Sequence, residues 1–114
     1  MKNVLLVLDG KNIAPRFDLA LELLIVSMGN DGKPVERSDI VLARPSAEAL
    51  CRTVASENVQ TVICGGIEKE YLQYLGWKNV EVIHSIIGSS EVAVNRYRKD
   101  ALKSGDLLSE RRKA

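Results

Sequence analysis

The residues best suited to chemistry in this sequence are one cysteine and the single histidine, each placed at the end of a predicted strand. Cys64 follows the apolar run "TVI", and His84 follows "VEVI". A thiolate and a neutral imidazole are good ligands for soft and borderline metal ions. Two such ligands are too few for a structural zinc site, which takes four. A metal held here would be shared with a partner or would arrive as a preformed cluster with ligands of its own.

The turn that contains Cys64, Gly65 and Gly66 has three explanations. The glycines can serve a tight turn, because glycine is the usual residue where backbones approach closely. The turn can present backbone N–H groups and a helix N-terminus to an anion, although Glu68 and Glu70 already complement the helix dipole there. Finally, Cys64 can be a metal ligand, or a small buried apolar residue as we expect for Cys51. The residues alone leave these explanations open.

Enzymatic chemistry finds weaker support. A cysteine hydrolase needs a base in reach of the thiol, and His84 is the only candidate. A metal-dependent nuclease needs several carboxylates close together. The available carboxylates are Asp9, Asp18, Glu22 and Asp31, of which the first and last read as turn residues. The sequence therefore favours a protein that is not an enzyme.

The elements that must position these residues alternate between strand and helix in the second half of the chain. The predicted strands cover residues 3–8, 19–28, 34–42, 59–65 and 80–88. The predicted helices cover residues 46–58, 67–75 and 89–105, with Gly76 and Gly105 as stops. Strand–helix alternation requires parallel pairing, while the hairpin of the second and third strands is antiparallel. The pattern predicts an α/β fold with a mixed five-stranded sheet flanked by helices.

Three segments follow strands and are expected at one edge of this sheet. They are the loop 9–18, the turn 64–66 and the segment 84–89. In open α/β sheets, ligands bind beyond the carboxyl ends of the strands. The sequence therefore predicts a binding site where these segments meet.

The composition limits the classes of partner that we expect for this protein. The 114 residues suit one domain, and 16 Lys and Arg nearly balance 15 Asp and Glu, which argues against a nucleic-acid or membrane-surface partner. Neither a signal peptide nor a membrane-spanning run is evident, so we expect a cytoplasmic protein with two free thiols. Residues 1–108 are expected to form the domain, and residues 109–114 a charged, disordered tail.

Three blocks of the sequence together resemble the dinitrogenase iron-molybdenum cofactor biosynthesis family, the NifX-type domains that also occur at the end of NifB proteins. The blocks are "IAPRFDLALELLIV", "TVICGGIEKEYLQYLGW" and "VEVIHSIIGSSEVAVNRYRKDAL". The resemblance implies a ribonuclease-H-like, three-layer α/β/α fold. It also implies a non-enzymatic accessory protein that binds, stores or transfers an iron–sulfur or iron–molybdenum cluster between donor and acceptor proteins.

The resemblance also assigns residues to the site. The family segment that matches "IAPRF" usually holds a His before the Phe, and here that position is Arg16. A guanidinium cannot ligate iron, but it can pair with an anionic cluster or with homocitrate carboxylates. The expected cofactor-binding residues are Arg16, Phe17, Gly65 and Gly66. The expected metal ligands are Cys64 and His84.

Other functions are compatible with the same fold. A protein-interaction module, a small-anion-binding module and a metal-dependent nuclease are the alternatives. A second copy of the chain is a candidate partner, because the hairpin offers an exposed strand.

Overall fold

The structure, a computed structural model that describes residues 2–108, is a mixed β-sheet with helices on both faces. The strands are β1 (Lys2–Asp9), β2 (Asn12–Ile13), β3 (Glu22–Met28), β4 (Pro34–Val41), β5 (Thr61–Ile63) and β6 (Glu81–Ile83). The helices are α1 (Ala47–Ser56), α2 (Lys69–Trp77) and α3 (Ser90–Arg98), and a 3₁₀ turn covers Phe17–Leu19. The predicted three-layer α/β/α class is confirmed. The tail predicted at residues 109–114 lies outside the described residues.

The sheet order is β4-β3-β1-β5-β6. Strands β1, β5 and β6 run parallel, whereas β3 pairs antiparallel with β1 and β4 antiparallel with β3. The five predicted strands are therefore present, but the predicted count is one too low. The sixth strand, β2, has two residues and pairs antiparallel with the end of β1, after a turn in which Gly10 has a φ of 64°. A strand this short has no periodicity by which a sequence could reveal it.

The two faces of the sheet carry separate apolar cores. Residues 4–7 of β1 are completely buried, which explains why this strand reads as a continuous apolar run. Leu5 and Val7 pack toward α1 and α2, while Val4 and Leu6 pack toward α3. The second core also includes Leu102, which follows α3.

Two helix ends differ from the prediction. Helix α3 ends at Arg98 rather than near Gly105, because Asp100 adopts a left-handed φ of 58°. Helix α2 continues through Gly76, and the left-handed residue beyond it is Asn79, with a φ of 64°. Asparagine tolerates this conformation better than most side chains, and here it takes the role that glycine was expected to play. None of the helices in residues 2–108 is long and apolar enough to cross a membrane.

Candidate cofactor-binding site

The three predicted segments do meet at the carboxyl edge of the parallel strands. The amide of Phe17 donates to the carbonyl of Gly66 at 2.8 Å, and the amide of Gly66 donates to the carbonyl of Pro15 at 2.7 Å. On the other side of the same turn, the amide of Ser85 donates to the carbonyl of Gly65 at 2.8 Å. The loops after β1 and β6 therefore flank the turn after β5, and backbone hydrogen bonds hold all three together.

The first and third loops are also joined directly. The amide of Ile13 donates to the carbonyl of Gly88 at 2.9 Å. The amide and the hydroxyl of Ser90 both donate to the carbonyl of Lys11, each at 2.9 Å. Because two of these three bonds join main-chain groups, the edge forms a continuous surface rather than three independent loops.

The structure supports the tight-turn explanation for Gly65. A Cβ at this position would collide with the carbonyl oxygen of Ala14 and would lie 2.7 Å from that of Pro15. The neighbouring Gly66 already uses its amide in the bond to Pro15. At the start of α2, Glu68 is the N-cap residue and Glu70 lies in the first turn. The glycine pair thus serves close backbone packing, and the acidic residues beside it complement the helix dipole.

Cys64 lies in the core. It has no exposed surface and belongs to the apolar cluster beneath α1 and α2. Burial raises the pKa of its thiol to about 12, so the thiolate that would bind a metal is strongly disfavoured. This placement favours the packing explanation, and the role of Cys64 as a metal ligand stays a prediction. Cys51 is also buried, as expected for the apolar face of α1, and both thiols are free.

His84 stands immediately after β6 and is partly exposed. Its imidazole Nδ1 lies 3.0 Å from Ser85 Oγ, and Nε2 has no hydrogen-bond partner among residues 2–108. Its backbone is held by the segment after α3. The His84 amide donates to Ser104 Oγ at 3.0 Å, and its carbonyl accepts from the amide of Gly105 at 2.9 Å. The pattern of residues 99–105 predicts helix and therefore does not reveal this support.

Arg16 is exposed on the opposite side of the Gly65-Gly66 turn. Its guanidinium forms a two-point contact with Asp18, with Nε–Oδ1 at 3.0 Å and Nη2–Oδ2 at 2.7 Å. The side chain of Phe17 points into the core. It is only 1% exposed, and its ring centroid lies 6.1 Å from that of Tyr71. Arg16 is therefore available to a ligand, whereas the placement of Phe17 favours a packing role over its predicted contact with a cofactor.

An open groove of about 670 Å³ begins at Arg16 and extends toward β4. Three of its large apolar side chains are exposed, namely Leu19, Leu21 and Val41. The groove was not expected from the sequence, because the apolar strand predicted at residues 19–28 includes Leu19 and Leu21. Its lining is Leu8, Asp9, Gly10, Ala14, Pro15, Arg16, Leu19, Ala20, Leu21, Glu22 and Val41. The groove therefore includes Arg16 but neither Cys64 nor His84.

The described residues do not form a multi-ligand metal centre. Within residues 2–108, no group of three or more His, Cys, Asp or Glu side chains could hold a metal ion. The carboxylates suggested for a nuclease have local partners instead. Asp18 binds Arg16, Glu22 accepts from the amide of Gly10 at 2.8 Å, and Asp31 accepts from the amide of Lys33 at 3.0 Å. A resident metal held by several protein ligands therefore finds no support in this part of the chain.

Four residues with accessible surface lie in the segments that meet at the glycine turn. Arg16, Gly66 and Ser85 are exposed there, and His84 is partly exposed. We call these four residues the turn surface. It combines one imidazole with one guanidinium, so it can contribute a single metal ligand and a charged hydrogen-bond donor.

Comparison with known proteins agrees with this architecture. The family model described as dinitrogenase iron-molybdenum cofactor matches residues 4–100. Among curated proteins, none matches this sequence.

Solved structures share the fold at low sequence identity. The protein PH0822 superposes with a TM-score of 0.81 at 12% identity, covering 90% of this chain and 93% of that chain. A protein provisionally named a dinitrogenase from Methanocaldococcus jannaschii gives 0.73 at 20% identity, with coverages of 89% and 91%. A protein provisionally named NifB from Thermotoga gives 0.71 at 15% identity, with coverages of 96% and 99%.

Proposed function

The chain belongs to the dinitrogenase iron-molybdenum cofactor family, and from that membership we propose that it carries an anionic iron–sulfur or iron–molybdenum cluster, or a precursor of one, on its turn surface. One observation carries this proposal. The Gly65-Gly66 turn is hydrogen-bonded from both sides by the segments that contain Arg16 and His84, and Gly66 itself is exposed.

The small number of ligands suits cargo better than a resident cofactor. The described residues offer one accessible imidazole and no set of three metal-ligating side chains. A cluster that keeps most of its own ligands needs only one bond from the carrier, and a single bond is readily exchanged. The partners in this account are a protein that delivers the cluster and a protein that accepts it. The chain itself acts as a carrier rather than a catalyst.

Arg16 supplies the charge for holding an anion. Asp18 fixes the guanidinium through two hydrogen bonds but leaves 57% of the arginine side chain exposed. A guanidinium presents five N–H donors, so it can bind an anionic ligand while one edge stays on Asp18. The family-typical His at this position would ligate directly, whereas Arg16 orients an anionic cluster by charge-assisted hydrogen bonds.

The groove beside Arg16 favours a second candidate function. Its volume of about 670 Å³ lies in the range of small-molecule sites, and among residues 2–108 Arg16 is the one basic residue of its lining, which also contains Asp9 and Glu22. A small organic anion would place its carboxylate on Arg16 and its apolar part against Leu19, Leu21 and Val41. This alternative requires Arg16 but not His84.

The test separates these candidates through two variants and one control. Isolated iron–molybdenum cofactor is mixed anaerobically with the protein, the mixture is gel-filtered, and protein-bound molybdenum and iron are measured. We expect Arg16→Gln and His84→Ala each to lower retention at least about fivefold, the loss of one charge-assisted or metal-ligand contact. Arg52→Gln, which removes an exposed arginine from α1, serves as the control and should retain the native amount.

Two other outcomes would favour a different function. Loss in Arg16→Gln alone favours the groove and a small anion. Retention by none of the proteins, native chain included, would contradict a cluster carrier and would favour a protein-interaction module.

A further inference from the structure

Strand β4 forms an unpaired edge of the sheet. It is the terminal strand in the order β4-β3-β1-β5-β6, and Pro34–Asp39 and Val41 are exposed. Arg37 and Asp39 have no ion-pair partner in the part of the chain that the structure describes. An open edge strand is a template for pairing with another strand.

The hydrogen-bond pattern fixes which residues of β4 face outward. The amide of Leu42 donates to the carbonyl of Leu21 at 2.8 Å, so residue 42 directs its backbone groups toward the neighbouring strand. Between Glu36 and Val41 the pairing with β3 is regular. Because backbone direction alternates along an antiparallel strand, residues 37, 39 and 41 direct their N–H and C=O groups away from the sheet.

This pattern restricts how a second copy of β4 can pair. A two-fold axis makes residue i face residue j of the other copy, with i + j constant. Outward-facing groups must oppose outward-facing groups, so the sum of the two residue numbers must be even. A sum of 72 sets Glu36 against its own copy, a sum of 74 does the same for Arg37, and a sum of 78 for Asp39. Each of these registers pairs like charges.

The register in which the two residue numbers sum to 76 is complementary to itself in charge. When the sum is 76, Arg37 faces Asp39 of the other copy and Asp39 faces Arg37, so two opposite-charge pairs form on one face. Ser38 faces its own copy on the two-fold axis. Val41, which is 74% exposed in the single chain, lies on the same face as Arg37 and Asp39. Opposite-charge cross-strand pairs stabilise a sheet, whereas like charges destabilise it.

We propose that two copies of this chain associate through β4, antiparallel and about a two-fold axis at Ser38, to form one continuous sheet. The charge pattern of residues 36–41 carries this inference, since it matches itself in one register only. Pro34 and the irregularity opposite Ser27 and Met28 end regular pairing at the start of β4, which keeps the contact short. The turn surface remains free in such a dimer, because it follows β1, β5 and β6 rather than β4.

Charge reversal tests the pairing. The mass of the full chain is measured by sedimentation equilibrium between about 10 μM and 1 mM. We expect a concentration-dependent dimer that weakens at least about tenfold in Arg37→Asp and in Asp39→Arg, since each replaces two attractive pairs by two repulsive ones. The double variant R37D/D39R restores complementarity and should restore the dimer. Arg52→Asp, on α1, is the charge-matched control and should dimerise like the native chain.

A cysteine placed on the axis tests the register. Opposed residues of a non-hydrogen-bonded antiparallel pair have Cα atoms about 4.5 Å apart, within reach of a disulfide. Mild oxidation of Ser38→Cys should therefore yield a linked dimer. Glu36→Cys should not, because it lies four positions, or about 13 Å, from its own copy. A monomer throughout the concentration range, a dimer indifferent to both charge reversals, or equal linkage in the two cysteine variants would each overturn the proposal.

Discussion

The amide of Gly66 donates a hydrogen bond to the carbonyl oxygen of Pro15 at 2.7 Å, so backbone alone joins the loop after β1 to the turn after β5. This bond requires Gly65 beside it, since any Cβ there would enter the space of the Ala14 and Pro15 carbonyls. The carboxyl edge is therefore a surface built by main-chain contacts, on which Arg16 and His84 are carried as side chains.

Replacing Gly65 should destabilise the folded protein. We expect Gly65→Ala to lower the free energy of unfolding by about 2–4 kcal/mol, because the methyl group forces the first loop off the turn. Gly76→Ala is the matched control. Gly76 lies in α2 with no atom within 4 Å of an added Cβ, so alanine should stabilise the protein by about 0.5–1 kcal/mol. Urea unfolding of both variants and the native chain measures the difference. Equal stabilities would contradict the close packing described here.

The thiol of Cys64 should be unreactive in the folded protein. Burial removes it from solvent and raises its pKa, and both effects suppress thiolate chemistry. In a Cys51→Ala background, an aromatic disulfide reagent should label Cys64 only as fast as the protein opens, and at least about a hundredfold slower than in urea. Rapid labelling without urea would show that the turn opens readily and would return Cys64 to the set of metal ligands.

The same thiol should make stability depend on alkaline pH. Its pKa is raised from an ordinary 9.0 to about 12, so above pH 9 the unfolded chain loses this proton while the folded chain keeps it. The unfolded state then binds fewer protons, and stability falls as pH rises from about 9 to 12. Between pH 7.5 and 10, the native chain should lose about 1.4 kcal/mol more than Cys64→Ala. Parallel stability curves for the two proteins would contradict a deeply buried thiol.

Ser104 should matter to the site although it lies outside the predicted segments. Its hydroxyl accepts from the His84 amide at 3.0 Å, which helps to fix the residue that carries the imidazole. We expect Ser104→Ala to cost about 0.5–1 kcal/mol of stability and to lower cluster retention. Ser56→Ala, which removes an exposed hydroxyl at the end of α1, is the control and should leave retention unchanged. Equal cluster retention in the two variants would show that the contact between Ser104 and His84 does not affect cluster binding.

The sequence predicted the parts of the fold that periodicity encodes. The continuous apolar run of β1 and the strand–helix alternation after residue 45 determine a sheet with helices on both faces, and the meeting of three loops follows from parallel strands. The two-residue strand β2 and the early end of α3 escaped prediction. The first has no period, and the second depends on Asp100 adopting a left-handed conformation that its side chain does not dictate.

The candidate site was predictable in position but not in the direction of its side chains. Cys64, Phe17 and Arg16 all lie at the expected edge, yet only Arg16 is exposed. Whether the last side chain before a turn points into the core or toward solvent depends on the strand's register with its neighbours. The support of His84 by Ser104 depends equally on a contact between residues 20 positions apart.

The most direct test of the account is anaerobic reconstitution of three proteins with ferrous iron and sulfide, followed by desalting and measurement of bound iron and visible absorbance. Cluster binding through His84 predicts a coloured native chain, a Cys64→Ala variant that keeps at least about half of the iron, and a His84→Ala variant that keeps little. The reverse pattern, with iron lost from Cys64→Ala and kept by His84→Ala, would contradict cargo binding on the turn surface and would place the cluster on the thiol.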